Sequence, residues 1–214
     1  MKFQSIFSLT ISLLILSSCS APVEKKSIQI GGDSGACSYL LEGASHELTW
    51  TAFKTSSKVP VGGTFDEFKL TSATKEGSVL ELLSSGSFSI PASSLNSNNA
   101  DRYAKIGKFF FGSLLESEVL EGEVVGVSGD ENEGTAKVNL SLNALSKEVE
   151  MAYSIDGGSL SLEATIDVEN WNAMAGINAL NKVCEQLHTG EDGVSKLWSQ
   201  VDLKLSSSLS SKCN

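Results

Sequence analysis

The chain is short of basic residues, has two histidines in 214 positions, and begins with an apolar run too short to cross a bilayer. Its 16 lysines and arginines stand against 26 aspartates and glutamates, a formal balance of −10. Nucleic-acid binding depends on Lys and Arg neutralising phosphates, so that class of partner is excluded. Adhesion of the folded surface to anionic lipid is disfavoured for the same reason. The uncharged apolar stretch from Ile6 to Leu16 falls well below the ~20 residues that a membrane-spanning helix needs, and no later segment could serve as an anchor.

Histidine scarcity limits the chemistry. His46 and His188 lie in unrelated elements, with neither an HExxH arrangement nor a CxxC beside them, so a zinc or copper site would have to be assembled from both histidines and Cys184. No metal or cofactor is expected. Asp130-Glu131-Asn132-Glu133-Gly134 starts like a calcium loop, but its glycine comes one place early and no acidic residue stands at the twelfth position; a hairpin turn fits better. Gly32-Asp33-Ser34-Gly35 resembles the nucleophile segment of trypsin-like proteases, yet it precedes the first strand and lacks a scaffold to position a histidine and a carboxylate. A catalytic cysteine needs an exposed, activated thiol, whereas Cys184 falls on an apolar helical stripe. No catalytic residue is assigned and an enzyme is not expected.

What is present begins at the N-terminus. Met1-Lys2-Phe3, the apolar run and small residues before Cys19 have the form of a secretory signal over residues 1–18. Leu16-Ser17-Ser18-Cys19 matches the bacterial lipobox, in which the thiol is lipidated before cleavage. The alternative is an ordinary signal peptide with an incidental cysteine. Acyl chains that bury about 0.8 kcal/mol per methylene would hold Cys19 firmly on a membrane. Residues 19–36 are polar, small and turn-forming, as expected of a tether. The expected location is the bacterial cell envelope, lipid-anchored to a membrane and facing the periplasm. Residues 37–214 then form one domain, with 41% hydrophobic residues to build a core. A homodimer is left open.

Alternation organises that domain. Val138, Leu140, Leu142 and Ala144 alternate with polar residues; after an expected turn at Ser146-Lys147 the beat resumes at Val149, Met151, Tyr153 and Ile155. Asp156-Gly157-Gly158 turns the chain again before Leu160, Leu162, Ala164, Ile166 and Val168. Period two broken by tight turns makes an antiparallel meander with one dry face. Further strands are expected over Ser38–Leu41, Glu47–Thr55, Val61–Leu70, Gly86–Leu95, Glu118–Val127 and Leu197–Leu205. Eight or nine such strands close into a barrel, with a two-sheet sandwich as the other solution. Asp101–Phe111 suits a short helix. Ala173, Ile177, Leu180, Val183, Cys184 and Leu187 give a second one its apolar stripe, with Gly190 placed to cap it.

Glu47-Leu48-Thr49-Trp50-Thr51-Ala52-Phe53-Lys54, Val61-Gly62-Gly63-Thr64-Phe65-Asp66-Glu67-Phe68, Phe88-Ser89-Ile90-Pro91-Ala92-Ser93-Ser94-Leu95, Asp101-Arg102 and Phe109-Phe110-Phe111 follow one another in an order that resembles the YceI-like family. The resemblance covers roughly Ser38 to Leu205. It implies an all-β fold, an extended antiparallel lipocalin-like barrel with one or two short helices, whose interior holds a polyisoprenoid or related long-chain lipid. Lys54 stands where many members have histidine, which puts the head group in doubt.

Within such a barrel Trp50, Ala52, Phe65, Phe88 and Met151 are candidate ligand walls, with Lys54 or Arg102 beside a head group. The alternative is that Trp50, Phe65, Phe88 and Ile90 merely fill a packed core with Lys54 on a solvated rim, and that the domain is a structural or protein-interaction module of the envelope. In a closed meander the first and last strands pair antiparallel. Cys37, just before the first, is therefore expected to bond to Cys213, just after the last, leaving Cys184 free.

Overall fold

A strand with one apolar face has to bury it, and a run of such strands does so by curling the sheet around a common interior. The computed structural model describes residues 37–213. The signal segment, Cys19, the tether to residue 36 and Asn214 lie outside the described residues.

The chain opens with β1 (Cys37–Lys54), one 18-residue strand where two were expected. Gly43, at φ +77°, absorbs the break, and the pairing register shifts between Leu40 and Ser45. Next come β2 (Val59–Phe65), β3 (Lys69–Ser72), the two-residue β4 (Glu76–Gly77), a helix α1 (Val79–Ser84), β5 (Gly86–Pro91) and β6 (Leu95–Asn96). Helix α2 (Ala100–Lys105) leads through a π-helical turn, Ile106–Phe110, and a 3-10 turn, Phe111–Ser113, into the meander β7 (Val119–Gly129), β8 (Glu133–Leu142), β9 (Leu145–Asp156) and β10 (Ser159–Asp167). Two helices, α3 (Met174–Val183) and α4 (Glu185–His188), cross to the last strand, β11 (Leu197–Cys213).

All ladders are antiparallel, in the order β3-β5-β7-β8-β9-β10-β11-β1-β2-β6. Both ends of that order belong to one interrupted hairpin. Thr64 and Phe65 face Asn96 and Leu95, and after a local break Lys69 to Ser72 face Ser89 to Gly86. The sheet thus curls back on itself, giving the all-β lipocalin-like architecture expected. The curl leaves a seam, because no β1–β3 ladder forms among the described residues and, on its side away from β11, the first half of β1 pairs only with β4, at Tyr39 and Leu40.

The meander keeps its beat: Met151, Tyr153 and Ile155 are buried while Ala152, Ser154 and Asp156 are exposed. Its first turn lies at Asn143-Ala144, not at Ser146-Lys147. Leu142 pairs with Leu145 across those two residues, both at positive φ (52° and 56°), the conformation that matches the twist of a two-residue hairpin. Asp130-Glu131-Asn132 is a hairpin turn, with Asp130 Oδ1 accepting from the Asn132 and Glu133 amides.

Two helical expectations need correction. The apolar stripe near the C-terminus is not one helix, since Cys184 leaves helical geometry and splits it into α3 and α4. Nor does Gly190 cap it: Thr189 is already extended and the Gly190 amide donates to Val194 O at 3.0 Å. The first helix ends at Lys105 and passes into the π turn, an irregularity often found at functional sites.

Cys37 and Cys213 face each other at the ends of β1 and β11 and form the expected disulfide, 176 positions apart. Cys184 is buried and unbridged. The core falls into two clusters. One, around Val79, Leu82, Leu160 and Leu209, fills the disulfide end; the other, around Trp171, Ala173, Ile166 and Ile177, sits at the far end.

Candidate functional site

The far end of the barrel is hollow. A cavity of about 180 Å³ lies between the inner faces of β1, β2, β5, β8, β9 and β11. Trp50 and Ala52 come from β1, Phe65 from β2, Phe88 from β5 and Met151 from β9, so alternation aims all five expected wall residues at one space. The roof is helical. Phe110 and Phe111, in and just after the π turn, meet Ile177 and Leu180 of α3 above the cavity. Gly176 allows that contact, because a Cβ there would stand 2.8 Å from Cδ2 and 2.9 Å from the carbonyl oxygen of Phe110.

Polarity is removed from the lining. Apart from Ser141, the lining residues are apolar, and their indole N–H groups are turned to backbone carbonyls: Trp50 Nε1 donates to Thr64 O at 3.3 Å and Trp198 Nε1 to Thr55 O at 2.8 Å. Trp171, at 1% exposure in the adjoining core, donates from Nε1 to Leu140 O at 2.9 Å. Among the described residues no buried side-chain polar atom lacks a partner. Such a space offers no compensation to a buried charge, whose desolvation is costly, and it accepts hydrocarbon.

A second cavity of about 60 Å³ lies toward the disulfide end, lined by Leu41, Leu82, Leu83 and Leu209 among others. The two share Phe88, Val138, Met151 and Leu205 as walls.

The two expected head-group residues do not line either space. Lys54 sits one alternation beyond Ala52, at the end of β1, where its Nζ donates to Leu187 O of α4 at 3.0 Å. Arg102 is exposed on α2, with Nη1 donating to Ser97 O at 3.3 Å. Its order in the chain suggested proximity, but α2 turns it outward. Conversely, the roof residues Phe110 and Phe111 are not among the expected ligand walls. Three consecutive phenylalanines beside a short helix were the available signal.

The histidines are apart and occupied. His46 Nδ1 lies 2.8 Å from Ser207 Oγ, and His188 Nδ1 lies 2.9 Å from Asn181 Oδ1. Burial holds both imidazoles below their ordinary pKa, and for His188 the nearby Lys54 charge adds to the effect. Among the described residues no group of three His, Cys, Asp or Glu side chains is arranged to hold a metal.

A curled antiparallel barrel with a dry, roofed interior defines a lipocalin-like protein. The chain belongs to the YceI-like domain family, whose profile matches residues 39–206, well over half of the sequence. Its fold is similar to that of a polyisoprenoid binding domain from Saccharophagus degradans implicated in plant cell wall breakdown, at TM-score 0.55 and 14% identity, covering 84% of this chain and 99% of that one. It is also similar to BcnA of Burkholderia cenocepacia, at TM-score 0.54 and 11% identity, covering 77% of this chain and 96% of that one. At such identities the likeness speaks for the fold. A search of curated proteins finds no match to this chain.

Proposed function

We propose that this protein is an envelope lipoprotein, anchored through Cys19, that binds the hydrocarbon chain of a polyisoprenoid or quinone-like lipid inside its barrel and catalyses no reaction. The observation that carries the reading is the roofed cavity of about 180 Å³ with its apolar lining. Apolar surface gains roughly 25 cal/mol for each Å² withdrawn from water, and the lining of this cavity offers such surface to a guest. Membership of the YceI-like family, and a structural relative described as binding polyisoprenoid, support the same chemistry. A fully packed structural barrel would leave no such space.

Anchoring rests on the sequence: Lys2, the Ile6–Leu16 run, Cys19 directly after Leu16-Ser17-Ser18, and a polar tether. Together they support attachment to a bacterial membrane, facing the periplasm.

Mass spectrometry of natively purified protein, before and after organic extraction, tests the binding role. A stoichiometric lipid is expected, and Ala52→Trp, which fills the cavity, should fold without it. An empty wild-type barrel that takes up no polyprenyl or quinone probe would return the domain to a structural module. For the anchor, Cys19→Ala should leave uncleaved precursor or soluble protein; unchanged mass and membrane fractionation would refute it.

A further inference from the structure

We infer that Phe88, laid across Gly122, sets how much of a hydrocarbon chain the barrel encloses, by dividing its interior into a front chamber and a smaller rear one. The inference rests on the binding role proposed above and deepens it, since it names the length of chain the site reads.

The two cavities lie one behind the other and share four walls: Phe88, Val138, Met151 and Leu205. Val138 is β-branched and buried, hence stiff. Met151 is pliable and Leu205 small by comparison. Phe88 alone carries a ring, and the fold has made a place for it. It pairs with Gly122 across β5 and β7, and a Cβ on Gly122 would stand 2.2 Å from the Cε1 and Cζ atoms of the ring. Any other residue at 122 would therefore drive the ring off β7 and into the interior. Phe68 stacks on the same ring, with centroids 5.9 Å apart and planes 24° from parallel. Seated over Gly122 and packed against Phe68, the ring forms a wall common to both chambers.

The dimensions follow. The front chamber, about 180 Å³, is on the scale of a dry 150 Å³ cavity that holds a benzene-sized guest, so it encloses on the order of ten carbons, or about two isoprene units. A longer ligand leaves the rest of its chain beyond the roof and gains nothing from it. Removing the ring would join the front chamber to the rear 60 Å³ space and add the volume of the ring itself.

The experiment uses lipid-extracted protein and competition of geraniol, farnesol and geranylgeraniol against a fluorescent apolar probe. Wild type should bind the three alcohols within a few-fold of one another, because only the first units are enclosed. Phe88→Ala should favour geranylgeraniol over geraniol by about tenfold or more, each newly buried methylene adding to affinity. Gly122→Ala, which pushes the ring inward, should weaken farnesol and geranylgeraniol at least as much as geraniol. The opposite directions of the two variants separate a partition from general destabilisation, and thermal melts confirm folding. A wild type that already prefers geranylgeraniol tenfold, or a Phe88→Ala profile identical to wild type, overturns the partition while leaving the binding role intact. If no alcohol displaces the probe from any folded variant, the binding role itself fails.

Discussion

The same strands build both ends of this barrel, yet the end that carries Cys37–Cys213 is the better filled, its cavity of about 60 Å³ being a third of the volume of the one at the other end, about 180 Å³. The difference lies in the plugs. At the filled end α1 is a well-formed short helix, with Ser78 accepting from the Glu81 amide and Glu81 from the Ser78 amide. Its first turn is also tied to Glu131 through the Val79 amide, at 3.0 Å. Val79, Leu82 and Leu83 all point inward. At the hollow end the plug is a π turn, a 3-10 turn and a split helix, which cover the opening without entering it. One plug enters the barrel and fills it; the other lies over the opening and roofs it.

The comparison breaks most readily at the disulfide. Cys37→Ser with Cys213→Ser should cost about 2 to 5 kcal/mol, read as a shift in the urea midpoint. The roof needs no disulfide, so probe binding at temperatures where the variant still folds should be nearly unchanged. Loss of binding in a folded disulfide-free variant would show that the two ends are one cooperative unit.

Side-chain truncation sharpens it. Leu82→Ala in α1 should cost about 2 to 5 kcal/mol, as filled cores do when methyl groups are deleted. Leu180→Ala in the roof should cost less, because a side chain lining a void already lacks contacts on one side. Its larger effect should be a faster release of bound probe. Equal stability losses at the two sites would contradict the difference in packing.

Acid separates the ends more gently. His46 lies at the middle of β1 and His188 at the end of α4, and burial lowers both folded pKa values from 6.5. A depressed histidine contributes stability above its unfolded value that is lost as pH falls through the folded one, since the unfolded chain then binds more protons. The urea midpoint should therefore fall as pH drops below about 6.5. His46→Asn and His188→Asn should each flatten that fall. Only the His188 share should respond to salt, because part of its shift comes from Lys54 and is screened. A pH response confined to one variant would assign acid sensitivity to that end alone.

Much of the barrel was legible because alternation is a local signal. The meander, the pairing of β1 with β11 that sets the disulfide, and the shared inward face of Trp50, Ala52, Phe65, Phe88 and Met151 all follow from period two. What escaped was set by few residues or by distant ones. Ser78-Val79-Leu80-Glu81 is a capping box that announces α1, but six residues leave little periodicity to read. The breaks between β2 and β3 and between β5 and β6 arise where one hairpin bends across the barrel. Lys54 was placed by the strand face it shares with Trp50 and Ala52, and Arg102 by the order of the motifs; a contact with α4 and the turn of α2 decided otherwise.

The hairpins at the two ends carry the same contrast down to a single side chain. The turn between β9 and β10, at the filled end, uses Gly157-Gly158, for which φ of 54° and 91° costs no steric strain. The turn between β8 and β9, at the hollow end, uses Asn143-Ala144, with Ala144 at φ 56°. An alanine in that region costs roughly 1 to 2 kcal/mol, while a glycine loses roughly 0.5 to 1 kcal/mol of backbone entropy on folding. The strain exceeds the entropy, so Ala144→Gly should stabilise the protein by about 0.5 to 1 kcal/mol, seen as a small rise in Tm. The exposed turn takes no part in the cavity, so probe affinity should stay the same. A fall in Tm would mean that Ala144 sits in its turn without strain, and that the two hairpins are equally well made.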